Sequence, residues 1–160
     1  MKKIEMSYRH KADTDYTWEK FAGEKLNCAE ASCKAVLRHF GQDTTLSRAA
    51  SAFGGGIGGQ GLTCGAMTGC LIAAGLLLGR DEVKDGSTAA LYAFAQELSD
   101  YMRQNFGSEK CGAITGRDAG EAAAQAFKDA DGRNNVCAPI VMACVDYTID
   151  QLTALRAKQA

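Results

Sequence analysis

Cys64-Gly65-Ala66-Met67-Thr68-Gly69-Cys70-Leu71-Ile72-Ala73-Ala74-Gly75-Leu76-Leu77-Leu78 is apolar or small on every side of a helical turn. A helix without a polar face has to be buried. The stretch falls short of the roughly 20 apolar residues of a membrane span. It also carries Gly65, Thr68, Gly69, Cys70 and Gly75, so it reads as the central core helix of a folded domain. Thr63 is the expected cap and Gly79 the expected stop. Directly before it runs Gly54-Gly55-Gly56-Ile57-Gly58-Gly59-Gln60-Gly61, a loop that no helix tolerates.

The helical pattern continues on both sides of this centre. Upstream, Asp15 to Ala22 reads as a short helix stopped by Gly23. Cys28 to Phe40 follows, with Asn27 and Glu30 placed for a capping box and Gly41 as the stop. Leu46, Ala49, Ala50 and Phe53 mark another short helix. Downstream, Ser87 caps a long amphipathic helix with Leu91, Phe94, Ala95, Leu98, Met102 and Phe106 at core spacing. Asp118 to Asp129 and Asn135 to Ala157 complete the set. Pro139 is the single proline, and no segment alternates as a strand would. The expectation is an all-α, compact single-domain bundle of about six or seven helices over residues 1–160. Residues 1–13 are expected as a loosely ordered N-terminal segment.

Length and charge narrow the function. A chain of 160 residues supports one domain with a real core. Its 18 Lys and Arg nearly balance 19 Asp and Glu, so the basic excess of a nucleic-acid binder is missing. The N-terminus, Met1-Lys2-Lys3-Ile4-Glu5-Met6, lacks the apolar run of a secretory signal. A cytoplasmic protein without membrane insertion is expected. Thiols are kept reduced in that compartment, so seven cysteines point to metal ligation or redox chemistry rather than a disulfide framework.

Four of the seven stand at comparable places: Cys28 just past Asn27, Cys64 just past the glycine loop, Cys137 at the start of the last helix, and Cys111 in a loop. Helix starts offer free N–H groups and partial positive charge, which favour a thiolate. Cys33 and Cys70 fall mid-helix and read as core. Cys144, on the same helix face as Cys137, reads as core, with a resolving thiol as the other option. Cys64-Gly65-Ala66-Met67-Thr68-Gly69 and Cys111-Gly112-Ala113-Ile114-Thr115-Gly116 match at five of six positions, which marks two places where a cysteine meets close backbone packing.

Other motifs carry less. Gly56-Ile57-Gly58-Gly59-Gln60-Gly61 has the form of a dinucleotide fingerprint, and Asp81 lies 20 residues on, but no strand leads into it, so no nucleotide is expected. The glycines instead serve close packing against the cysteines, or a bare anion at the start of the central helix. His39 ends a helix, where a surface role suits it. Without a C-x-x-C-H motif there is no covalent haem.

Taken together, Asn27-Cys28-Ala29-Glu30-Ala31, Phe53 to Gly58, Cys64 to Gly69, Phe106-Gly107 with Cys111, and the late Cys137 resemble the C-GCAxxG-C-C family of redox-active proteins. The resemblance implies four functional cysteines, Cys28, Cys64, Cys111 and Cys137, with Cys33, Cys70 and Cys144 additional to the pattern.

Three functions compete on this reading. The first has the four thiolates converging to ligate an iron–sulfur cluster or another metal for electron transfer. The second is a metal-free thiol–disulfide oxidoreductase, with Cys64 and Cys28 as catalytic thiols and Cys64 the leading nucleophile. The third is a helical binding module with structural cysteines. The expected partner is a redox protein or a small electron donor or acceptor. Leu76-Leu77-Leu78 would tolerate a homo-oligomeric interface.

Overall fold

The capping box at Asn27 sets the first long core helix. Asn27 Oδ1 accepts from the Glu30 N–H at 2.9 Å, and the Glu30 carboxylate accepts from the Asn27 N–H at 2.9 Å. Helix α2 then runs over Cys28–His39, and its buried residues are mostly small: Ala29, Ala31, Ser32, Cys33 and Ala35. Before it, helix α1 covers Lys11–Trp18 and runs on into a π-helical turn, Glu19–Gly23. The computed structural model describes residues 3–160, so Met1 and Lys2 of the N-terminal segment lie outside the described residues.

Small residues on α2 let the central helix α3, Gly65–Leu78, lie against it. Ala29 fits between two glycines of α3. A Cβ on Gly65 would come within 3.0 Å of the Ala29 nitrogen, and one on Gly69 within 2.8 Å of its carbonyl carbon. The spacing of four residues puts both glycines on one face. Helix α4 (Ala89–Phe106) buries Phe94, Leu98 and Met102, and the 22-residue α7 (Ala138–Gln159) closes the core with Ile140, Val141, Val145, Ile149 and Leu152. Two short helices, α5 (Cys111–Ile114) and α6 (Glu121–Asp129), lie between α4 and α7 in the chain. The result is an all-α single domain of seven α-helices among the described residues, with the glycine-rich loop directly before the central helix. No described helix is long and apolar enough to cross a membrane.

Several boundaries differ from the sequence reading. The helix expected from Asp15 begins at Lys11, its first turn tied by His10 O accepting from the Asp13 and Thr14 N–H groups. Thr63 is not the cap of α3. It pairs with Lys110 in an isolated β-bridge, and Cys64 takes the N-cap position. The segment expected as one helix from Asp118 is split at Gly120, whose φ of 104° suits only glycine. The last helical run begins at Arg133, where a π-helical turn, Arg133–Cys137, leads into α7.

That last turn depends on the one proline. Pro139 has no N–H to give to Asn135, four residues back. The Asn135 carbonyl accepts instead from the Ile4 N–H at 3.0 Å. The Tyr8 hydroxyl donates to Pro139 O at 3.3 Å, and Asp146 accepts from the Arg9 and His10 N–H groups. The segment before α1 is therefore stitched along α7.

Candidate functional site

The two echoing segments lie side by side. The Thr63–Lys110 bridge aligns them, with Cys64 N–H donating to Glu109 O, Cys111 N–H to Leu62 O at 2.7 Å and Gly112 N–H to Gly61 O at 2.8 Å. Cys111 is thereby the first residue of α5 rather than a loop residue, and the glycine loop packs onto it. A Cβ on Gly56 would lie 2.5 Å from the Leu62 nitrogen and 2.7 Å from the Cys111 Cβ, so glycine is required there. Gly56 also has a φ of +72°, a left-handed conformation that side chains resist. On the other side, the Cys28 Sγ occupies the space that a Cβ on Gly65 would need.

Cys28, Cys111 and Cys137 line one cavity of about 540 Å³. Arg117, Arg133 and Lys128 line it too, along with Phe21, Phe127 and Asn27, and none of the lining residues is acidic. Arg117 donates to the Cys111 Sγ at 3.6 Å and also to the Gly59 carbonyl, which couples the glycine loop to the thiol. Arg133 lies over the Phe21 ring and donates to the carbonyls of Phe21 and Leu26. Both guanidiniums are therefore fixed by backbone acceptors while keeping spare donors.

Burial governs the thiols. It pushes Cys137 up to about 12, with ionised Cys28 and Cys111 adding to the rise. Burial also raises Cys111, while the Arg117 guanidinium pulls the other way. Cys64 is raised well above the usual thiol range by burial first and then by Cys28, outweighing the Ala66 amide that opposes it. Cys28 is a charge neighbour of all three.

These facts correct the expected metal centre. Among the described residues, the group of three ligating side chains whose donor atoms all lie within 4.8 Å of one another is His10, Asp13 and His39; the sulfurs of Cys28, Cys64, Cys111 and Cys137 form no such group. The reading of an iron–sulfur cluster or other thiolate-bound metal for electron transfer is overturned on that geometry. The physical reason is placement. Cys64 is 8% exposed and is absent from the cavity lining, and Cys137 sits at the end of a helical turn rather than at a free helix start. All seven cysteines are free thiols. Cys64 is also no low-pKa nucleophile, because desolvation outweighs its helix-start position. Cys33, Cys70 and Cys144 are fully buried in the core.

In the sequence, nothing distinguishes Arg117 and Arg133 from ordinary surface charges. His39 is exposed, as its place at a helix end suggests, and its Nδ1 also lies 2.8 Å from Asp13 Oδ2. The spacing His10-x-x-Asp13, one turn apart at a helix start, was the available signal. No curated protein and no solved structure matches the chain. The family model described as "Putative redox-active protein (C_GCAxxG_C_C)" matches residues 26–150, and with more than half of its length covered the chain belongs to that family.

Proposed function

We propose that the protein is a metal-free thiol–disulfide oxidoreductase that reduces small anionic disulfides in the cavity of Cys28, Cys111 and Cys137. The observation carrying this reading is three free thiols opening on one cavity whose charged lining residues are all cationic. Cys28 is the entry nucleophile, because it lines the cavity and neighbours every other thiol of the set. Its thiolate attacks one sulfur of RS–SR, and the RS⁻ that leaves takes the Cys137 proton. Cys137 then attacks the Cys28 Sγ, and the second RS⁻ takes up the proton that Cys28 lost to solvent. A Cys28–Cys137 disulfide forms and the second RSH departs. Two protein thiols are oxidised, one disulfide is reduced, and a cellular dithiol resets the pair.

Burial of Cys137 supports an electron-donating role: a thiol that resists ionisation does not stabilise the reduced state as a thiolate would. A reducing, cytoplasmic compartment fits the same reading. Cys111 accepts from Arg117 and keeps that guanidinium in the cavity lining.

An aromatic disulfide bearing two carboxylates tests the reading. The reduced protein is expected to release two coloured thiols per chain and to yield a Cys28–Cys137 disulfide on peptide mapping. Cys28→Ser is expected to release none from the native cavity. Equal release by Cys28→Ser, or a map that leaves Cys28 free, defeats the reading.

A further inference from the structure

We infer that His10, Asp13 and His39 form a binding site for a divalent transition-metal ion of the zinc type, separate from the thiol cavity. Their three donor atoms lie within 4.8 Å of one another. They come from different parts of the chain: His10 precedes α1, Asp13 lies in its first turn, and His39 ends α2. His10 and Asp13 precede the family-matched segment 26–150, whereas His39 lies within it.

The surroundings resemble those that metal ligands need. His10 Nε2 meets Asp150 Oδ1 at 2.7 Å, and its backbone N–H donates to Asp146 Oδ1 at 2.7 Å. A carboxylate behind an imidazole fixes ring orientation and strengthens the ring as a ligand. The His10 and His39 rings stand edge to face, with centroids 5.4 Å apart. Two imidazoles and one carboxylate suit zinc, cobalt or nickel rather than calcium or magnesium. His39 Nδ1 and Asp13 Oδ2 are 2.8 Å apart, whereas donors around tetrahedral zinc stand roughly 3.3 Å apart. Uptake therefore needs an opening of about 0.5 Å and expels the proton that the two atoms share. Exposed His39 leaves a further position for water. Arg38 Nη1, 3.6 Å from Asp13 Oδ1, competes with the ion.

Cobalt(II) titration of the chelator-treated full chain tests this by visible absorption. One equivalent is expected to bind with ligand-field bands and without a sulfur charge-transfer band. His10→Ala and His39→Ala are each expected to weaken binding more than tenfold, and Asp150→Asn by roughly 10- to 100-fold. Arg38→Gln should tighten it. Cys28→Ser with Cys111→Ser and Cys137→Ser should leave it unchanged, which separates this site from the thiol chemistry. Zinc is expected to raise the Tm of the wild-type chain, and His39→Gln, which keeps a hydrogen bond to Asp13, provides a folded control expected to lose both cobalt binding and that rise. An intense sulfur charge-transfer band, binding unaffected by both His39 variants, or no saturation by about 1 mM overturns the inference.

Discussion

Gly69→Ala and Gly75→Ala add the same methyl group to the same helix and should move stability in opposite directions. At Gly75 a Cβ meets nothing within 4 Å. The change there gains the helix preference of alanine over glycine, up to about 1 kcal/mol. At Gly69 the new Cβ would lie 2.8 Å from the Ala29 carbonyl carbon, with the Ala29 oxygen and the Ser32 hydroxyl closer still. Ordinary carbon contacts are about 3.5–4.0 Å, so α2 and α3 must part by roughly 1 Å. Ser32 can rotate, but the Ala29 backbone cannot. Overpacking of this kind costs up to about 3 kcal/mol. Set against the propensity gain, the net loss is about 2 kcal/mol, a fall in Tm of roughly 4–8 °C for a chain of this size. Gly75→Ala should raise Tm by roughly 2–4 °C. Urea and thermal unfolding of the reduced proteins, followed by circular dichroism, reads both. A Gly69→Ala protein as stable as wild type would refute the claim that these glycines encode the helix contact.

Other outcomes follow from the thiol environments. Alkylation of the native protein with mass-spectrometric mapping should modify Cys28 first and leave Cys33, Cys70 and Cys144 protected until unfolding; early labelling of Cys70 would contradict their burial. Burial holds the Cys33 and Cys70 thiols protonated to about 11 and about 12, against roughly 8.5 in an unfolded chain. Above about pH 9 the folded state then binds more protons than the unfolded one. Stability present below that pH should fall as pH rises, by up to roughly 1.4 kcal/mol per unit for each thiol. Equal urea midpoints at pH 8 and pH 10 would exclude this. Arg117→Gln should slow reaction with the dicarboxylate disulfide about tenfold, or 1.4 kcal/mol, while changing reaction with a neutral disulfide little; equal slowing of both would remove the anion preference.

Much of the fold could be read from local chemistry. The Asn27–Glu30 box, the all-apolar central helix and the Phe94, Leu98, Met102 spacing are short-range signals, and each names its element. The boundaries that moved were set by distant partners. Thr63 gave up capping because Lys110, far along the chain, pairs with it. The helical run before Pro139 is held from the N-terminal segment, where the Ile4 N–H takes the Asn135 carbonyl that the proline leaves free. At the site, sequence position singled out four cysteines, of which Cys28, Cys111 and Cys137 line one cavity and Cys64 does not. Cys64 illustrates the difference: a helix start favours its thiolate, yet burial outweighs the helix. Arg117 and His39 acquire their roles from residues that only the folded chain brings near.

The contact between Cys28 and Gly65 gives the thiol a direction. With its sulfur already filling the space beside α3, Cys28 cannot take on bulk on that side. Any atom it bonds, whether of a substrate, an alkylating reagent or an oxidant, has to project into the cavity. Selectivity among reagents at this residue is thus a matter of shape: adducts that fit the space between Phe21, Phe127 and the two arginines form, and those needing room toward the central helix do not.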